Sequence, residues 1–148
     1  MLSVLVTATI STSPTALHSS LTANGALSIA LDGTPWIDGG ITVLRDSAQR
    51  FASDCANMLN PKHCMPLQPT GALNRTSGTD ELGEYVEESL AWTADGATRM
   101  VTGVRTYSSQ PDIAVLTQTF PRGLKPQNKN GSHEEIVSAF PTLARTRL

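Results

Sequence analysis

The residues best suited to chemistry are the carboxylates of an acidic run near the middle of the chain. Glycoside hydrolases use two carboxylates that face each other, roughly 5 to 9.5 Å apart. On a β-strand, Glu84 and Glu88 share one face, so such a pair is sterically conceivable. We favour the alternative, a solvated strand face near a sheet edge where charges discourage aggregation, and assign no catalytic residue. The run, which contains no base, consists of Asp80, Glu81, Glu84, Glu87 and Glu88.

Two tryptophans are candidates for carbohydrate binding. The rings of Trp36 and Trp92 could stack on the apolar faces of sugars. Trp92, however, follows Val86 and Leu90 at the same two-residue alternation, which is more typical of a core position. We therefore favour core packing for Trp92 over sugar binding.

Arg99, Arg105 and Tyr107 fall on one face of a predicted strand. Guanidinium and phenol groups could hold a carboxylate or a hydroxyl there. A solvent-facing strand side is the commoner explanation for such a pattern, and it is the one we favour.

Cys55 and Cys64 lie nine positions apart in a proline-rich stretch. They could close a small disulfide in an oxidising compartment, or both could be free thiols. A structural zinc site needs four ligands. Cys55, Cys64 and His63 would make only three, so no metal site is predicted. N-glycosylation sequons occur at Asn74 and Asn130, in segments that look like loops.

Composition and motifs exclude several classes of function. Eleven basic and thirteen acidic residues give a net charge of −2, which argues against a nucleic-acid partner. No apolar run approaches the roughly 20 residues of a membrane span. The chain lacks a GxSxG elbow and a GxGxxG phosphate loop, and His133-Glu134-Glu135 is not an HExxH zinc motif. No cofactor is expected.

The elements that must position these residues are predicted to be strands. With 14 Ser and 18 Thr, the chain favours strands and turns over helices. Apolar residues alternate with polar ones, and Asn-Gly and Asp-Gly pairs punctuate the segments. We predict an all-β, antiparallel β-sandwich of six or seven strands, with an antiparallel meander over its central third. The predicted strands span 27–32, 34–37, 41–44, 85–92, 98–107, 113–120 and 136–141.

Two regions have no clear strand pattern. Residues 45–80 read as an irregular insertion that contains the cysteines, with a short helix possible over 46–59. Pro61, Pro66 and Pro69 argue against regular structure there. Residues 1–21 read as a ragged N-terminus or a weak signal-like segment, so the localisation could be secreted or cytoplasmic. The sandwich domain is expected to span 22–148.

Several blocks, taken in order, resemble the N-terminal β-domain of α-galactosidase and raffinose-synthase-like glycoside hydrolases. The likeness covers most of residues 22–143, and segment 27–37, with its Asp-Gly turn and Pro-Trp pair, resembles the opening of that domain. Residues 50–70 match nothing in the family pattern. The blocks are Gly78-Thr79-Asp80-Glu81-Leu82-Gly83-Glu84-Tyr85, Leu90-Ala91-Trp92, Thr102-Gly103-Val104-Arg105-Thr106-Tyr107, Val115-Leu116-Thr117-Gln118-Thr119-Phe120-Pro121-Arg122-Gly123-Leu124 and Ile136-Val137-Ser138-Ala139-Phe140-Pro141.

The resemblance implies an incomplete segment of a galactose-mutarotase-like supersandwich, placed before a (β/α)-barrel. In the family the catalytic aspartates are on that barrel, so no catalytic residue transfers to this chain. The expected function is a non-catalytic segment that supports carbohydrate hydrolysis, with the missing barrel as partner. A segment of this kind is expected to have open sheet edges and a bare hydrophobic surface where the rest of the sandwich and the barrel dock. The alternative is a free-standing carbohydrate-binding or adhesion module, against which the aromatic content of 5% counts.

Overall fold

The computed structural model describes residues 16–46, 49–58, 61–124 and 138–142. Within these ranges the chain forms strands and one 3₁₀ turn, Pro61–His63. No helix in this part is long and apolar enough to cross a membrane. The strands are β1 (Leu17–Leu21), β2 (Leu27–Leu31), β3 (Thr34–Asp38), β4 (Val43–Asp46), β5 (Gln49–Ala52), β6 (Cys64–Pro66), β7 (Gln68–Asp80), β8 (Gly83–Ala94), β9 (Ala97–Tyr107), β10 (Gln110–Thr119) and β11 (Ser138–Ala139).

The strands form three sheets. Their orders are β1-β2-β3, β10-β9-β8-β7 and β11-β4-β5-β6. All neighbouring strands are antiparallel except β5 and β6, which run parallel. The predicted all-β, antiparallel sandwich is therefore confirmed, with one parallel pair that the sequence did not indicate.

One hydrophobic core joins the three sheets. On strands that carry the core, such as β2 and the second half of β8, every second side chain points inward, as period-2 patterning requires. β1 lies beside β9 and β10, which brings the three-stranded sheet against the inner face of the sheet β10-β9-β8-β7. The core consists of Leu21, Leu27, Ile29, Leu44, Phe51, Leu67, Leu90, Trp92, Ala94, Met100, Val104 and Phe140.

Trp92 is a buried core residue, only 1% exposed. Its indole N–H donates a hydrogen bond of 2.8 Å to the hydroxyl of Thr102, which satisfies the only polar atom of the ring in the core. The far edge of the indole lies directly on Gly25, where a Cβ atom would be 2.1 Å from the ring. Gly25 thus closes the turn between β1 and β2 with a positive φ of 87° and leaves room for the ring.

The predicted meander is formed by β8, β9 and β10. β8 and β9 are joined at Asp95 and Gly96, whose φ angles of 53° and 69° are typical of a tight hairpin turn. The third strand was predicted to start at residue 113, but β10 already begins at Gln110. Between Gln110 and Ala114 the register with β9 shifts, so β10 absorbs Pro111 in an irregularity at the sheet edge.

The prediction that residues 45–80 are irregular is wrong. They contain the end of β4, all of β5 and β6, and β7, which is 13 residues long. No helix occurs over the described part of 46–59. Pro66 and Pro69 lie in β6 and β7, the outer strands of their sheets, where a missing N–H does not break a ladder between two neighbours.

The sandwich also begins earlier than predicted. β1 starts at Leu17 and pairs with β2 along its whole length, so part of segment 1–21 belongs to the domain. Residues 1–15, the site of the signal-like segment, lie outside the described residues. Near the other end, the expected strand over 136–141 contains β11, which pairs with β4.

The four-stranded sheet β10-β9-β8-β7, called the four-stranded sheet from here on, has two dissimilar ends. Core residues lie on β8 from Leu90 to Ala94, whereas segment Gly83–Ser89 contains no member of the core. We call the outer part of the sheet its distal end. It comprises Thr76–Asp80 of β7, Gly83–Glu87 of β8 and Arg105–Tyr107 of β9, which are paired in register.

Candidate functional site

The distal end carries a cluster of charged and aromatic side chains on its outer face. Cross-strand register creates the cluster, because Glu87 lies opposite Arg105 and Tyr85 lies opposite Tyr107 on neighbouring strands. Side chains directly opposite each other are about 4.5 to 5.5 Å apart at Cβ, close enough to pair. We call this group the outer cluster; it consists of Asp80, Tyr85, Glu87, Arg105, Tyr107 and Thr117.

Arg105 is the centre of the outer cluster. Its Nε donates to Glu87 Oε2 at 2.7 Å, and its Nη1 contacts Asp80 Oδ2 at 3.3 Å. The guanidinium carbon lies 4.3 Å from the centroid of the Tyr85 ring, a cation–π contact. The hydrogen bond to Glu87 raises the pKa of Arg105 above its already high usual value.

Two hydroxyl groups complete the cluster. Tyr107 donates to Asp80 Oδ2 at 2.8 Å, and Thr117 on β10 donates to Glu87 Oε1 at 2.7 Å. The hydrogen bond from Tyr107 is the main cause that lowers the pKa of Asp80, and the Leu82 N–H and Arg105 lower it further. Burial, followed by the contact with Asp80, raises the pKa of the Tyr107 hydroxyl.

Two glycines let these side chains lie flat on the sheet. A Cβ at Gly78 would be 2.5 Å from the Tyr85 hydroxyl oxygen, so the Tyr85 side chain reaches across β7 at this position. A Cβ at Gly103 would be 2.7 Å from both Glu87 Oε1 and Thr117 Oγ1. Neither glycine has a positive φ, so close approach of a side chain, not backbone conformation, explains both.

The inner face of the distal end holds an open depression of about 610 Å³. Ser77 and Thr79 of β7 lie opposite Val86 and Glu84 of β8, and Thr106 of β9 lies opposite Val86. These residues line the depression together with Ser108, Gly78 and the two tyrosines of the outer cluster, Tyr85 and Tyr107. The hydroxyl groups can donate and accept hydrogen bonds with a hydroxylated ligand, and the Glu84 carboxylate can accept them.

The structure separates the two predicted tryptophans. Trp92 is buried, as the core alternative predicted, and its ring has no face open to a sugar. Trp36 is 59% exposed on the outer strand β3. It occupies a bulge, because Ile37 pairs with Ile29 and Pro35 pairs with Ala30, which leaves Trp36 between them without a partner. A bulge of this kind re-aims the side chain of the extra residue.

The acidic run is dispersed over both faces of the sheet. Glu84 lies on the face of the depression and Glu87 on the outer face, as alternation requires. Asp80 accepts the Leu82 N–H with its second oxygen and thereby caps the β7–β8 turn. The carboxylates that do approach each other, Asp80 and Glu87, do so through Arg105.

Arg99 and Arg105 both bind carboxylates, but at different places. Arg99 is the extra residue of a bulge in β9, since Trp92 pairs with Met100 and Thr93 with Thr98. It contacts Asp46 and Asp95 at 3.6 and 3.3 Å and lies over the Phe51 ring. The two arginines therefore do not form one binding face.

The remaining predicted residues are distributed as follows. Cys55 and Cys64 are joined by a disulfide, with Cα atoms 5.6 Å apart. Among the described residues no group of three or more His, Cys, Asp and Glu could hold a metal ion. Asn74 lies within β7, in a strand and not in the predicted loop. Asn130 lies outside the described residues.

The sequence carries no signal that Tyr107 is a partner of Asp80 or that Thr117 is a partner of Glu87. Only the strand register connects positions that are 27 and 30 residues apart in sequence.

Comparison of the chain with protein-family models, with curated proteins and with solved structures finds no match.

Proposed function

We propose that this chain is a non-catalytic β-sandwich domain of an α-galactosidase-like glycoside hydrolase, which supports a catalytic barrel outside these 148 residues. The observation that carries the proposal is the distal end of the four-stranded sheet. Its inner face extends past the core and ends in an open depression. We infer that the rest of a supersandwich or the barrel packs against this open and largely polar face.

The positions of the resembling blocks support the same proposal. Segment 78–85 forms the β7–β8 turn, segment 90–92 enters the core on β8, and segments 102–107 and 115–119 lie on β9 and β10. They thus belong to one sheet and follow its strand order. The block over 138–141 lies in and just after β11, in another sheet.

Exposed apolar side chains and open edges also support a docking role. Leu73, Leu82 and Leu116 are 40%, 37% and 39% exposed, and all three belong to the four-stranded sheet or its first turn. β10 is an outer strand of that sheet in the described chain, so its edge is open to a further strand. Such features are tolerable in a domain that packs against further structure.

The outer cluster supports a non-catalytic role. A glycosidase needs a proton donor and a nucleophile or base that face the same sugar. Here Asp80 and Glu87 both bind Arg105, and each accepts a hydroxyl hydrogen bond as well. Contacts of this kind stabilise strand pairing and leave neither carboxylate directed at a ligand.

The size of the native protein tests the proposal. An immunoblot of the source material, with mass spectrometry of peptides from the reactive band, should detect a polypeptide much larger than 15.7 kDa. Peptides from the sequence beyond Leu148 should belong to a barrel domain. A band near 15.7 kDa whose last peptide ends at Leu148 would overturn the proposal.

Trp36 favours a second candidate, a free-standing carbohydrate-binding or adhesion module. An exposed indole on an outer strand is the type of platform on which a sugar ring stacks. Titration with galactose and raffinose should then change tryptophan emission in the wild type. The change should disappear in Trp36→Ala and persist in Leu116→Ala, a matched exposed residue elsewhere. Buried Trp92 supplies a constant background, and unchanged emission in the wild type would exclude this candidate.

A further inference from the structure

We propose that Asn74 is an N-glycosylation site and that its glycan shields the open edge of β7. Asn74-Arg75-Thr76 is a complete acceptor sequence, Asn-X-Ser/Thr with X other than proline. It lies in the middle of β7, and both Asn74 and Thr76 are exposed. This inference is independent of the proposed function, because it rests on the disulfide and the geometry of one strand.

The disulfide indicates the compartment that the modification requires. The chain has two cysteines, and they are bonded to each other. Disulfides form and persist in oxidising compartments, including the secretory pathway in which N-glycans are attached. The disulfide is thus an observation, separate from the sequon itself, that favours the compartment in which Asn74 could be modified.

The surroundings of Asn74 leave space for a glycan. Ser89 on β8 donates to the main-chain oxygen of Asn74 at 3.5 Å, and among the described residues no hydrogen bond engages the Asn74 side chain. Asn74 lies opposite Ser89, and Thr76 lies opposite Glu87, so both point to the outer face. All residues from Thr70 to Ser77 are exposed, so a bulky group meets no covering layer on this strand.

The edge of β7 is a surface that needs protection. Among the strands that the structure describes, β7 is an outer strand of its sheet, and an unpaired strand edge is a template for pairing with another chain. Proteins protect such edges with lysine, proline or bulges. β7 has such features only at its start, where Pro69 lies and the register with β8 shifts between Pro69 and Leu73. From Asn74 to Asp80 it pairs without interruption and contains neither lysine nor proline, and Arg75 is the only cation there. A hydrophilic glycan at the midpoint would block edge-to-edge approach sterically.

The first test measures occupancy. The full chain, secreted from eukaryotic cells behind a cleavable signal sequence, is treated with peptide-N-glycosidase F in ¹⁸O-labelled water, and its peptides are analysed by mass spectrometry. We expect a labelled aspartate at position 74. Asn74→Gln and Thr76→Ala should each lose the mass of one glycan, whereas Thr76→Ser should retain it. Asn130→Gln separates the contribution of the second sequon. A disulfide-bonded protein that is unmodified at Asn74 would overturn the proposal.

The second test addresses the shielding role. Asn74→Gln should form larger species in size-exclusion chromatography with light scattering, and enzymatic deglycosylation of the folded wild type should do the same. Asn57→Gln, an exposed asparagine outside any sequon, is the control and should remain like the wild type. If glycosylated wild type and Asn74→Gln are equally monodisperse, the shielding role is wrong even where the site is occupied.

Discussion

At the scale of single residues, the core contains a buried hydrogen bond from the Trp92 indole to the Thr102 hydroxyl. Thr102→Val keeps the shape of the side chain but removes the acceptor of the indole N–H. Trp92 is only 1% exposed, so water cannot replace that acceptor. An unsatisfied buried donor costs about 1–3 kcal/mol. Chemical denaturation should show that the free energy of unfolding of Thr102→Val is lower than that of the wild type by this amount. Thr106→Val, at a half-buried position on the same strand, is the control, and an equal loss in both variants would contradict the assignment.

Asp80 gives the outer cluster a pH dependence with a definite sign. Its pKa is lowered in the folded state, chiefly by the Tyr107 hydroxyl, so its contribution to stability is present above its unfolded pKa. That contribution is lost as pH falls through the folded pKa. We expect the melting temperature of the wild type to fall more steeply below about pH 4 than that of Asp80→Asn. Parallel curves for the two proteins would show that Asp80 does not couple to folding.

The residue scale also shows what sequence alone could supply. Trp92 could be predicted as a core residue, because Val86, Leu90 and Trp92 alternate with polar positions. The partners of Arg105 could not, since Glu87 and Asp80 become neighbours only when the strands are aligned in one register. A shift by one residue would move every side chain to the opposite face, and composition cannot choose between registers.

At the scale of elements, the turn between β1 and β2 is specified by Gly25. Two substitutions separate its roles. Gly33→Ala changes a glycine with φ of 79° and open space around it, so only backbone strain of about 1–2 kcal/mol is expected. Gly25→Ala has the same strain and places a methyl group against Trp92, which adds about 1–3 kcal/mol of overpacking. Denaturation of the two variants measures the difference; equal losses would mean that the ring moves away freely.

The disulfide has a definite place among the elements. Cys55 lies in the loop after β5, and Cys64 is the first residue of β6, which pairs with β5 in parallel. The disulfide therefore connects that loop to β6. A closed loop of this size stabilises by about 2–3 kcal/mol in the chain-entropy model. Reductant should lower the unfolding free energy of the wild type by that amount. The Cys55→Ala/Cys64→Ala variant should start at the lower value and not respond to reductant.

The failure to predict β7 has a physical reason. Its residues 70–77 are exposed on both faces, so no apolar alternation marks it as a strand. Its composition, rich in Gly, Ser, Thr and Asn, is typical of turns. β7 is a strand because β8 offers it a complete ladder of hydrogen-bonding partners, which is a tertiary cause. β8 and β9, which carry core residues on one face, were visible in the sequence for the opposite reason.

At the scale of the whole molecule, the sandwich should differ in stability along its longest sheet. Segment Leu90–Ala94 of β8 is held by the core, whereas Gly83–Glu87 is held by its neighbours and by the outer cluster. Native-state hydrogen exchange should therefore show strong protection at 90–94, limited by global unfolding, and weaker protection at 83–87 through local opening.

Arg105→Ala isolates the reason for that difference. Arg105 contacts Glu87, Asp80 and the Tyr85 ring, so its loss should accelerate exchange at 83–87 and leave the rates at 90–94 nearly unchanged. Arg99→Ala is the matched control near the core, and it should alter exchange around Phe51 and not at the distal end. If Arg105→Ala accelerated exchange equally along β8, the sheet would open as one unit. The distal end would then be as firmly integrated as the core and would lose its special suitability as a docking surface.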